Sequence, residues 1–352
     1  MAKSTLYVGD AITFNSFRPS HEKRSHISKT GAQQFQGTRA NLTAGHSYPY
    51  AGDEGKDYIN ITTTGNVTEF GEISESSNFN GGAGGSSGAR AITMNGGPAD
   101  KDIHYWDVYS SANAVDWGGD DIIEQDGSFG ASDGYRCWSF CGSAPTHAPD
   151  ASYVTYVPFY SIGTAATDWG ESTHQFISQS TGACSSGVRA VFGGTAVRGA
   201  TTTAEDAIGS VAMQTNSSGT DFGNLANARI GGCWSGDGSR GICFGGTGTG
   251  STAELSATEY VNIDFQSNAY EMSSGSHGVE NNKLYGHAMT SDGSRIVIYG
   301  GHRANFNEVN PGLPSTNIID TVQYISIQSR GTCNDFGELT EARARAYSNI
   351  SA

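Results

Sequence analysis

No stretch of this 352-residue chain is apolar for long enough to cross a bilayer as a helix. Its opening, MAKSTLYVGDAITF, lacks the charged-then-apolar pattern of a secretory signal. The two absences predict synthesis in a cytoplasm and no membrane insertion. Basic residues are scarce, 20 Lys and Arg against 35 Asp and Glu, for a formal net charge of -15. Contacts to a phosphate backbone need clustered cations, so no nucleic-acid partner is expected. The acidic balance suits solubility at high salt or a basic partner. None of the six cysteines, Cys137, Cys141, Cys184, Cys233, Cys243 and Cys333, forms a CxxC pair, which predicts reduced small hydrophobes rather than a metal or redox site. Cys137 and Cys141, four apart, are expected on one face of a single strand. No phosphate-loop, nucleophile-elbow, zinc or HxH spacing occurs, so no cofactor is expected. Amphipathic helical periodicity is missing as well.

What the chain has in quantity is glycine, 49 residues, with much Ser, Thr and Asn, a composition that suits many turns between short strands. These residues fall into a repeat. Gly-x-Arg followed by apolar residues occurs at Arg39, Arg90, Arg136, Arg189, Arg240 and Arg295, at spacings of 51, 46, 53, 51 and 55 residues. Between them lies an acidic-aromatic-Gly marker, expected as a turn: Glu69-Phe70-Gly71, Asp116-Trp117-Gly118, Asp168-Trp169-Gly170, Asp221-Phe222-Gly223 and Asp335-Phe336-Gly337, with Tyr270-Glu271 as a degenerate copy. A third marker is an apolar run before it, such as Tyr260 to Ile263. In the unit from Asp221 to Ile263, Arg229 to Ser235 and Ser239 to Gly246 read as further strands. Three markers in fixed order at a period near fifty predict propeller blades of four strands each. Stacking six such sheets around an axis buries faces and edges that one sheet would expose. Repeated arginines are expected to pair with the marker acid or to bond loop carbonyls, and repeated aromatics to pack between blades.

The order of a glycine pair ending the second strand (Gly193-Gly194, Gly245-Gly246, Gly300-Gly301), a tyrosine such as Tyr260 in the third, and an aromatic such as Phe222, Trp117 or Trp169 before the fourth resembles the kelch repeat over residues 36 to 352. That resemblance implies an all-β, six-bladed β-propeller of kelch-like blades, and implies little about activity. Glu341 to Asn349 matches Ala226 to Cys233, so the C-terminus is predicted to supply the strand that closes the first blade. Residues 1–35 match no repeat and read as an N-terminal docking arm or tail. Its basic cluster, Arg18, His21, Lys23, Arg24 and His26, is the docking candidate.

Connections after the second strand, His46 to Lys56, Ser143 to Ala151, Thr195 to Asp206 and His302 to Asn317, should emerge on one face, where binding is usually placed. Tyr48, Tyr50, His147, Arg198, His302, Arg303 and Phe306 are the binding candidates. The Asp-Gly pairs at Asp133, Asp237 and Asp292 read as hairpin turns rather than sialidase boxes. Asp116, Asp120 and Asp121 lack a calcium-loop spacing. The repeat style, with TTGNVTEFGEI, SSGTDFGNL, GSRGICFGG and EYVNI, resembles that of propeller proteins encoded by tailed bacteriophages of cyanobacteria. That resemblance implies a non-enzymatic virion structural protein (tail fibre, neck or capsid appendage), present in multiple copies per particle. Its partners would be other virion proteins and a host-surface glycan. The alternative is a carbohydrate-active enzyme or glycan-binding lectin on the same scaffold.

Overall fold

The computed structural model describes residues 37–47, 51–73, 81–94, 101–142 except 122, 124 and 126, 152–177 except 175, 182–197 except 195, 203–248, 257–273, 284–303 and 318–351 except 330–332. All regular structure among them is β. Blade 1 contains β1 (Arg39–Ser47), β2 (Ala51–Asn60) and β3 (Thr68–Glu72). Blade 2 follows with β4 (Ala83–Ser86), β5 (Arg90–Met94), β6 (Ile103–Asp107) and β7 (Val115–Asp116). Blade 3 has β8 (Phe129–Ser132), β9 (Arg136–Phe140), β10 (Tyr153–Pro158) and β11 (Thr167–Glu171). Blade 4 holds β13 (Cys184–Ser185), β14 (Arg189–Gly193), β16 (Glu205–Ala212) and β17 (Thr220–Arg229), with a small ribbon of β12 (Phe176–Ile177) and β15 (Ala196–Val197). Blade 5 is β18 (Cys233–Gly236), β19 (Arg240–Phe244), β20 (Thr258–Asn262) and β21 (Tyr270–Ser273). Blade 6 is β23 (Ala288–Ser291), β24 (Arg295–Tyr299), β26 (Thr321–Ser326) and β27 (Asn334–Glu338), with a ribbon of β22 (Leu284–Tyr285) and β25 (His302–Arg303). The sheets are antiparallel and form a six-bladed β-propeller.

The C-terminal residues complete blade 1. Tyr347 and Ser351 bridge Thr43 and Ala40 on β1, and the Asn41 amide donates to the Ile350 carbonyl at 3.0 Å. Between them Asn349 bulges into the centre with φ +63°. Its side-chain amide donates to the carbonyls of Gly130, Ala183 and Trp234, at 3.0, 2.7 and 3.4 Å, and its backbone amide to Met289 at 2.8 Å. One side chain from the last-made strand thus ties blades 3, 4 and 5 at the axis, and its own backbone reaches blade 6. The Ser348 hydroxyl lies 3.3 Å from the Cys233 thiol of blade 5.

Each junction between neighbouring blades has its own apolar core, six in all around the ring. The marker aromatics Phe70, Trp117, Phe222 and Phe336 lie buried in these cores, and Trp169 packs at the edge of one. Each full burial contributes about 1.5–3 kcal/mol. Their geometry corrects the expected turn. In the fourth strand the aromatic is the extra residue of a β-bulge: Asp57 pairs Glu69 and Lys56 pairs Gly71, so Phe70 has no opposite number. The same jump occurs at Trp169, Phe222 and Phe336. The bulge sends the ring into the next junction and lets the following glycine meet that blade. At Gly223 φ is +145°, and a Cβ would stand 2.5 Å from the Ser267 carbonyl of blade 5. By the same register, the degenerate copy is Glu271-Met272-Ser273, one residue on from Tyr270-Glu271, with Met272 as the extra residue, buried in the blade 5–6 core.

Other expectations also shift. Arg229 ends β17, and the first strand of blade 5 starts only at Cys233, because Arg229 is held by a buried ion pair described below. The described residues of the expected loop His46 to Lys56 are strand instead: His46 and Ser47 end β1 and Ala51 to Lys56 open β2, with His46 opposite Gly52. Cys137 and Cys141 lie in different cores, because Cys141 is past the end of β9 at φ +58°, which breaks strand alternation. The six cysteines are free and buried.

Candidate interaction surface

Five of the six Gly-x-Arg arginines bond a carbonyl just after the third strand of the following blade: Arg39 to Tyr109, Arg90 to Phe159, Arg136 to Met213, Arg189 to Ile263 and Arg240 to Ile327, at 3.4, 2.5, 2.6, 3.2 and 2.9 Å. Each guanidinium also lies over an aromatic ring of its own blade, for example Arg240 over Tyr260 at 4.4 Å to the centroid. Arg295 lies over Tyr324 in the same way. Of the two roles expected from sequence, carbonyl bonding is the one formed. The marker acids instead accept from the amide of their own marker glycine: Asp116, Asp168 and Asp221 from Gly118, Gly170 and Gly223. Asp133, Asp237 and Asp292 each accept two amides of their hairpin turn, as the turn reading requires. Asp121 accepts from Thr155 at 3.0 Å. Among the described residues no three His, Cys, Asp or Glu side chains are grouped to hold a metal ion.

These bonds make the face carrying the 1–2 turns and 3–4 loops stiff. The large hydrophobics it exposes are therefore carried on an anchored backbone. Tyr135 and Val188 sit in the 1–2 turns of blades 3 and 4. Tyr160 and Ile162 sit in the 3–4 loop of blade 3, and Phe265 in that of blade 5. Exposure reaches 65–70% for Tyr160, Tyr135 and Phe265. The Tyr160 hydroxyl is 3.2 Å from Ser87 and its ring lies 5.1 Å from Arg90, both on blade 2. The set spans blades 3 to 5. Sequence carried a signal for it: tyrosine occupies the turn position in Asp133-Gly134-Tyr135-Arg136 that serine holds in the Asp237 and Asp292 turns.

Of the binding candidates named from sequence, two are described, on the opposite face. His302 and Arg303 lie in β25, paired with Tyr285 and Leu284, and the His302 ring is 6.2 Å from Tyr285. Tyr48, Tyr50, His147, Arg198 and Phe306 lie outside the described residues, as do Arg18, His21, Lys23, Arg24 and His26.

Sequence reasoning also missed two buried ion pairs. Arg229 meets Glu259, which further accepts the Ala226 and Asn227 amides. Arg343 meets Asp57 at 3.0 Å, with Thr340 bonding both oxygens of that carboxylate. The two are equivalent, since Ala228-Arg229 matches Ala342-Arg343 and Glu259-Tyr260 matches Asp57-Tyr58. The second pair floors a cleft of about 460 Å³ lined also by Glu54, Glu69, Glu72, Glu341 and Lys56. The Lys56 ammonium bonds the Ala112 carbonyl at 2.6 Å, and burial pulls it down to about 8.

No protein-family model matches the chain, and no curated protein matches it.

Proposed function

We propose that the chain is a non-enzymatic, kelch-like structural protein of a tailed-phage particle, a tail-fibre, neck or capsid appendage, and that it works as an interaction scaffold. The observation that supports this reading is the stiff turn face with Tyr135, Tyr160, Ile162, Val188 and Phe265 exposed together. Exposed aromatic and aliphatic side chains on a rigid frame suit recognition, because little side-chain and loop entropy is lost on docking. The phage assignment rests on the sequence resemblance in repeat style. Antibody to the chain, applied to purified particles in negative stain, tests it. Label at one defined place on the particle is the expected result, and particles without the chain would overturn the proposal.

A second reading has an observation in its favour. Tyr135, Tyr160 and Phe265 are exposed rings on polar turns, a setting in which a glycan can lie on the ring faces while turn residues such as Asp264 and Gln266 offer hydrogen bonds. Binding on a glycan array that Tyr160→Ala and Phe265→Ala both abolish would favour the lectin. Unchanged binding in both variants would remove it.

A further inference from the structure

The junction between blades 5 and 6 differs from its neighbours. Its outer strand offers Met272 and Ser273 where the others carry Phe or Trp followed by Gly, so a flexible thioether replaces a wide flat ring. At its inner end, just before β23, lies His287, fully buried. The ring meets Phe244 edge-on at 5.5 Å between centroids. The backbones of Gly245 and Gly301 close over it: a Cβ at either would lie 2.6 or 3.0 Å from His287 atoms. Neither ring nitrogen has a hydrogen-bond partner of normal geometry. The packed elements carry Arg229 of β17 with its partner Glu259 of β20, Cys243 of β19, Tyr285 of β22, and His302 and Arg303 of β25. The C-terminal segment adds Arg343 and Arg345, whose backbones bond Gly301 and Gly286. A proton on the imidazole would therefore find no well-aligned acceptor, only the Phe244 backbone close by, little room for water and a guanidinium nearby.

We propose that protonation of His287 opens the blade 5–6 junction ahead of the rest of the ring, so that this seam is an acid-triggered opening device. Burial first, then Arg229, holds the closed imidazole down to about 3, and the Phe244 backbone opposes this in part. An exposed histidine titrates near 6.5. Above that value both states are neutral and pH has no effect through this group. Below it, the open junction gains a proton that the closed one does not. The opening equilibrium then rises by about tenfold per pH unit until the closed form also titrates.

Hydrogen exchange on the full chain, corrected for intrinsic rates, tests this. Between about pH 7.5 and pH 4.5 the amides of β19 and β24 should lose roughly hundredfold in protection, with β5 and β9 much less affected. His287→Phe should abolish that difference. Equal loss in all blades, or the same acid response in His287→Phe, overturns the proposal. Should His287→Phe fail to fold, the wild-type chain decides alone. With a pyridyl disulfide reagent that reacts in acid, Cys233 and Cys333 of this seam should be modified before Cys137 of blade 3 as pH falls. Simultaneous modification, or Cys137 first, overturns it.

Discussion

Asn349 combines two things that seldom coincide, a left-handed backbone and a fully buried amide that donates to three blades. Asparagine tolerates that φ better than most residues and supplies the donors. Asn349→Ala removes the donors and leaves three buried carbonyls short of partners. It should destabilise by about 1–3 kcal/mol, read as a lower urea midpoint. An unchanged midpoint would mean that water replaces the amide. Gly223 makes the same kind of demand at the periphery. Gly223→Ala must hold a side chain at φ +145° against the Ser267 carbonyl, and should lower stability by roughly 1–3 kcal/mol in the same measurement. Sequence showed that a glycine recurs after the marker aromatic. It did not show the bulge, because the register jump arises from pairing with a strand many residues away.

At the scale of elements, the linkage between blades is partly apolar and partly ionic. Arg229 and Glu259 join the last stretch of β17 to β20, and both side chains are fully buried. Removing one partner strands a charge, so Arg229→Met should cost about 3–5 kcal/mol. Arg229→Met together with Glu259→Leu should recover most of that loss, because no unpaired charge remains. A double-mutant cycle by urea unfolding measures it, and purely additive losses would show that the pair acts through packing alone. Both pairs were within reach of sequence: aligning Ala342-Arg343 on Ala228-Arg229 superposes the two arginines, and the third-strand marker superposes the two acids. Nothing in either segment alone says that they meet, since the acid lies 30 residues after Arg229 but some 286 before Arg343.

For the whole molecule, closure decides stability. The C-terminal residues cover β1, supply Tyr347 and Ile350 to the core between blades 1 and 2, and send Asn349 to the axis. Deleting residues 342–352 should open the edge of β1 and remove the axial donor together. The expected outcome is aggregation, or a melting curve that loses its single cooperative step. A truncated chain that melts like the full one would show that the ring holds without its clasp.

Composition and repetition in the sequence were enough to determine the blade count, the spacing of strands and the joining of the two ends of the propeller, because those follow from a period and from turn chemistry, which are local. Tertiary structure alone decided what the repeated residues touch. The arginines choose carbonyls of the next blade, Phe70, Trp169, Phe222 and Phe336 leave their own sheet through a bulge, and the exposed rings lie on the face of the 1–2 turns and 3–4 loops. Each of these depends on where a neighbouring sheet sits, and the distance along the chain to that neighbour carries no local signal.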